Sequence, residues 1–293
     1  MSAEELEAWL MDRPLVLAYI VALVAGSLIS FIVLIVRYNN DQRLKRYPVT
    51  AWPLPGLDFL LFILSLVCWF VLSGMALLQL HSWLVHREQE PGVWLSIVGG
   101  LILQAGMLLL FLHFRFRYRS HNEGPVSPRI LRLDQGALLG LFYFLASLPV
   151  IYGVGAAWNL VLEILRERGV QIDLPLQDAV LLFQEADSPL ILFSLLALAV
   201  VVAPVVEESV FRAGIYRFFK GRTSVTLSLL ASGLLFGLIH GNLQSLPGLV
   251  AVGVCLGISY ELSGNIRVPI FFHAFFNLNS VLWILILPDS LTG

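Results

Sequence analysis

Apolar runs long enough to cross a bilayer recur along the chain, at about 15–36, 57–84, 93–114, 136–162, 189–211, 224–240, 246–262 and 268–287. A hydrocarbon core about 30 Å thick needs about 20 such residues per helix. Backbone groups that find no water in lipid must pair within their own segment, so these runs are helices. The composition agrees, with 58% hydrophobic and 13% charged residues, far from the usage of a soluble domain. The expected fold class is therefore an all-α, polytopic membrane helix bundle of about eight transmembrane helices. A net charge of -2 offers nothing to nucleic acid. Cys68 and Cys255 fall in apolar runs and read as small buried hydrophobes rather than a disulfide or metal pair. The first residues are acidic (Glu4, Glu5, Glu7, Asp12) and lack the basic start of a signal peptide, so 15–36 reads as a retained span.

The loops orient this bundle. Arg37, Arg43, Lys45 and Arg46, then Arg115, Arg117, Arg119, Arg129 and Arg132, then Arg212, Arg217, Lys220 and Arg222, and finally Arg267 all fall on one side if eight spans alternate. The opposite loops are neutral or acidic, above all 163–189 with Glu163, Glu167, Asp173, Asp178, Glu185 and Asp187. The positive-inside rule then places the basic loops in the cytoplasm and both termini outside. Residues 175–185 fit either a short surface helix or a solvated connection. Gly136, Gly140, Gly153 and Gly155 would permit close helix contact. Trp52, Trp83 and Trp94 are candidate interface anchors.

One run ends in charge, at Glu207-Glu208-Ser209-Val210-Phe211-Arg212. A charged side chain in mid-membrane costs about 2.5 to 3.5 kcal/mol on insertion scales, so an adjacent pair of carboxylates points to function. Glu208 and Arg212 are i,i+4, with the acid on the N-terminal side, which suits an ion pair. Glu207 points about 100° away and has no such local partner. Pro204 removes a helical hydrogen bond just before the pair and predicts a kink there. Two later runs carry Phe236-Gly-Leu-Ile-His240 and His273-Ala-Phe-Phe-Asn277, the latter again sharing one helix face. A free carboxylate, two imidazoles and an amide are the groups peptide hydrolysis needs: a base for water, donors for the oxyanion and a proton for the leaving amine. A glutamate desolvated in a bundle suits general-base work near neutrality. Neither a Gly-x-Ser-x-Gly elbow nor a His-Glu-x-x-His helix occurs.

Glu-Glu-x-x-x-Arg, Phe-x-x-x-His and His-x-x-x-Asn on successive apolar helices resemble the CPBP family of intramembrane proteases, the type II CAAX prenyl endopeptidases and their bacterial, bacteriocin-processing relatives. The resemblance covers about 190–285, within a second half (136–293). The first half (1–135) holds spans without motifs, and the two halves read as one integrated bundle. The resemblance implies an endopeptidase acting on a membrane-associated peptide or protein within the lipid bilayer, in the plasma (inner) membrane of a prokaryote. It implies that Glu207 activates water, that Glu208 and Arg212 support it, and that His240, His273 and Asn277 bind water or the oxyanion.

Three alternatives stand beside this reading. The motifs would also serve packing in a proteolytically inactive immunity or scaffold protein. Buried Glu and His also build proton relays in transporters, although transporters place motifs in matching halves. Glu207, His240 and His273 would make a zinc set. No cofactor is expected, because the neutral Asn277 amide is a poor zinc ligand and a good oxyanion donor.

Overall fold

The computed structural model describes residues 9–42, 46–87, 92–118, 123–171 and 178–286. Glu4, Glu5, Glu7, Arg43, Lys45, Arg119, Asp173 and the start of the 175–185 stretch lie outside the described residues. The described chain is helical: α1 (Pro14–Asn40), α2 (Gly56–Val85), α3 (Val93–Arg117), α4 (Leu133–Glu167), α5 (Asp178–Gln184), α6 (Pro189–Lys220), α7 (Val225–Leu238), α8 (Leu246–Ser263) and α9 (Arg267–Ile286). Seven of these are long and apolar enough to cross a bilayer. The exceptions are the seven-residue α5 and α7, whose 14 residues extend only about 21 Å at 1.5 Å per residue.

Helix α4 is the axis of the bundle and packs against α1, α8 and α9. Glycine makes this approach possible at Gly140, where a Cβ would lie 2.6 Å from Phe271 Cβ and 2.9 Å from the Phe272 nitrogen. The expectation of close contact fails at Gly153 and Gly155, where an added Cβ meets nothing within 4 Å. Helices α7 and α8 touch through backbone, with a Cβ at Gly253 only 2.8 Å from Gly233 Cα. The 175–185 stretch contributes α5, whose Phe183 is buried with Ile97, Ile191, Leu195 and Val281. It is thus packed on the bundle, against α9 and α6.

The basic end of the bundle is tied by its own charges. Arg217 is fully buried; its guanidinium reaches Thr50 O at 2.7 Å, Gly124 O at 3.0 Å and Glu123 at 3.2 Å. Lys220 bridges Tyr47 O and Glu261, and Arg222 donates to Leu54 O. These bonds draw residues 46–55 into the bundle, so Trp52 is 1% exposed and packs on Phe62 and Phe111 rather than anchoring an interface. Trp83 and Trp94 are exposed, as expected of interface residues. Cys255 is partly buried and Cys68 is exposed on α2, both free; a lipid-facing position explains an apolar run without burial there.

Helix α6 opens with Ser188, whose hydroxyl accepts from Ile191 N, and Pro189 at its first position. Two stretches are π-helical, Leu198–Val202 and Ser209–Tyr216. The first ends just before Pro204, so a widened turn absorbs the missing donor where a kink is expected. The helix then runs on to Lys220 without a break. Arg212 is therefore an interior helix residue, not part of the basic loop with which its sequence neighbours group it.

Candidate active site

The second π-helical stretch begins directly after Glu208 and holds Arg212. Glu208 Oε1 and Arg212 Nη1 are 3.0 Å apart with both side chains fully buried, so the expected i,i+4 ion pair exists. Removing two charges from water is costly, and such a pair persists only where further hydrogen bonds hold it. Arg212 Nη2 donates to Gly253 O at 2.8 Å, which the α7–α8 glycine contact leaves within reach. The guanidinium also lies over the Phe236 ring, 4.6 Å from its centroid. His273 Nδ1 is 3.0 Å from Glu208 Oε1. Beside a carboxylate oxygen that nitrogen donates, which leaves Nε2 as the ring position turned away from Glu208.

His273 Nε2 faces the first glutamate, 3.9 Å from Glu207 Oε2. That separation is too long for a direct hydrogen bond and suits a bridging water. The other oxygen, Glu207 Oε1, accepts from Gln104 Nε2 on α3 at 3.1 Å. Four buried polar atoms here have no hydrogen-bond partner among the described residues: Glu207 Oε2, Glu208 Oε2, Arg212 Nε and Gln104 Oε1. Buried polar atoms without partners are rare, and a group of them marks a catalytic or water-binding place.

His240 and Asn277 stand apart from this cluster. His240 Nδ1 donates to Phe236 O at 2.7 Å, one turn back. Phe236 separates the two imidazoles, its centroid 4.9 Å from His240 and 5.5 Å from His273. Asn277 Nδ2 donates to Ala199 O at 2.7 Å, inside the first π-helical stretch of α6. Both residues line a cavity of about 590 Å³ between α4, α5, α8 and α9. Glu207, Glu208, Arg212 and His273 lie behind that wall rather than in it. The alternative zinc set of Glu207, His240 and His273 is not gathered: among the described residues no three His, Cys, Asp or Glu side chains form a metal-binding group.

Gln104 is the participant that sequence reasoning missed. It sits in mid-span on an otherwise apolar stretch, and that isolation is the signal that marks it. Nothing local links it to Glu207, 103 residues away.

The fold and site define an all-α membrane protein with a buried Glu–Glu–Arg–His cluster beside a largely apolar cavity. Residues 189–279 match the family model described as type II CAAX prenyl endopeptidase Rce1-like. The chain is also 32% identical over 77 residues, 26% of its length, to a Bacillus subtilis (strain 168) protein that carries the name of a membrane peptidase, YdiL. It covers about a third of that relative's length. No solved structure matches it.

Proposed function

We propose that this chain is an intramembrane endopeptidase that hydrolyses a peptide bond of a membrane-associated substrate with water activated by Glu207. The observation that carries the reading is the unpartnered Glu207 Oε2 facing His273 Nε2 at 3.9 Å. A water held there gives one proton to each acceptor and turns its lone pairs toward a substrate carbonyl. Glu207 takes the proton released on attack. Glu208, held by Arg212, fixes the His273 ring. Asn277 and His240, at the wall between this cluster and the cavity, bind the oxyanion, and Glu207 returns its proton to the leaving amine.

The family match and the YdiL likeness support a peptidase. The geometry favours the glutamate mechanism over zinc, because His240 is turned to Phe236 O and away from the other two members of the zinc set. The test is a membrane-proteome comparison of wild type with Glu207→Gln, which keeps shape and removes the base. At least one peptide should cease to be cut, with turnover on it reduced about 10²- to 10⁴-fold. An unchanged proteome would favour the inactive immunity or scaffold alternative. Purified enzyme should keep its activity after exhaustive chelation. Activity that vanishes with the metal and returns on adding zinc would recast Glu207, His240 and His273 as ligands.

A further inference from the structure

The cavity beside the catalytic cluster has a direction and a chemistry of its own. Its lining includes Val180 and Phe183 of α5, Gln244 and Ser245 before α8, and Trp283 and Ile284 near the end of α9. All of these lie at the bundle end opposite the basic loops. The shortness of α7 creates the recess. At about 21 Å it falls short of a bilayer's hydrocarbon thickness of about 30 Å. The chain after it turns back at His240 and Gly241 below the level of the neighbouring helix ends, and the carbonyl of Leu243 is held there by Trp158 Nε1 at 3.0 Å. His240 therefore stands at the depth of the recess, while α4 runs on beyond Trp158 to Glu167.

None of the described residues lining the cavity is Asp, Glu, Lys or Arg. A charged side chain entering it would find no partner, and desolvating one without a partner is costly. Uncharged hydrogen-bonding groups are present instead. Asn279 is spent on the wall, accepting from Tyr19 and donating to Tyr152. Asn159 and Gln244 line the cavity, and their side chains make no hydrogen bond among the described residues. A carboxamide donates and accepts at once, which matches the N–H and C=O groups of an extended peptide. The volume, about 590 Å³, is that of a ligand site and holds a few residues of chain.

We infer that the cavity is the substrate channel, that it is entered from the face bearing Glu167 at the end of α4 and Asp187, and that it takes an uncharged, extended peptide segment. The cut bond then lies near the non-cytoplasmic surface of the membrane. This deepens the endopeptidase reading and rests on it for the identity of the occupant. The direction of entry rests on the structure and on the orientation of the basic loops.

Two glycines make the test clean. Gly155 and Gly248 line the cavity, and an added Cβ at either meets nothing within 4 Å. Gly153 is equally open but lies outside the lining. In a background without Cys68 and Cys255, Gly248→Cys is exposed to a membrane-impermeant maleimide from each face of oriented vesicles. Exposed reference positions are Ile130→Cys at the basic end and Asp187→Cys at the acidic end. Gly248→Cys should label with Asp187→Cys; labelling with Ile130→Cys overturns the direction of entry.

In parallel, Gly155→Phe and Gly248→Phe should abolish the cleavages that Glu207→Gln abolishes, with Gly153→Phe retaining them. Normal cleavage in both cavity-filled variants, or charged residues flanking the cut bonds, overturns the substrate assignment. If Glu207→Gln changes no cleavage, it is the endopeptidase reading that fails, and the maleimide result still decides which face the cavity opens on.

Discussion

At the residue scale the two adjacent glutamates have different surroundings and should fail differently when changed. Glu208 bonds both Arg212 and His273 with full burial. Glu208→Gln strands a buried guanidinium and should cost about 3 to 5 kcal/mol of stability as well as activity. Glu207→Gln leaves the Glu208–Arg212 pair intact and should cost activity alone. Thermal unfolding of the two purified variants in one detergent separates these outcomes; equal melting temperatures would refute the division. On the proposed mechanism Gln104 acts through Glu207 as a positioning residue. Gln104→Met keeps length and removes the donor to Glu207 Oε1. A hydrogen bond to a charged group is worth about 1.5 to 3 kcal/mol, so kcat should fall about tenfold or more with KM nearly unchanged. A fall in stability with unchanged kcat would make Gln104 a packing residue only. The Glu208–Arg212 pair was legible in the sequence because four residues along a helix fixes a shared face. The Gln104–Glu207 contact was not, because helix packing creates it and no spacing rule reaches across 103 residues.

At the element scale the same contrast holds for helices. Hydropathy located every long helix, since about 20 apolar residues have one solution in lipid. It did not show how far the run 224–240 stays helical. The observed α7 stops at Leu238, and Gly241 adopts a left-handed φ of 62° that favours glycine after a helix end. Nor did sequence tell which glycines carry contact. Gly253 and Gly153 are alike in a hydropathy plot and opposite in the structure. Gly253→Ala puts a Cβ 2.8 Å from Gly233 Cα and moves the carbonyl that holds Arg212, so it should destabilise by about 1 to 3 kcal/mol and lower activity. Gly153→Ala meets nothing and should be neutral or slightly stabilising, by up to about 1 kcal/mol. The pair is read by thermal unfolding, and equal shifts would contradict the α7–α8 packing.

At the scale of the whole molecule, topology turns on α7. If this short helix crosses, the basic loops share one face and the two termini lie together on the other; if it re-enters, the termini part. Its beginning is fastened to the basic end, where Lys220 and Arg222 just before it hold Tyr47 O and Leu54 O. Its end is fastened elsewhere, by Trp158 near the far part of α4, a helix about 52 Å long at 1.5 Å per residue. The two attachments lie at different depths, and the loop after α7 is met by residues of α5 and α9 in the same cavity wall. A crossing that ends in a recess accounts for all of this. It also brings His240 level with Asn277, which lies half-way along α9. Exposed positions flank α7 on both sides, at Thr223 and Leu243. In oriented vesicles Thr223→Cys should react with an impermeant maleimide from the same face as Ile130→Cys, and Leu243→Cys from the face of Asp187→Cys. Reaction of both from one face would make α7 re-entrant, place the termini on opposite sides and separate the orientation of α8 and α9 from that of the first six helices.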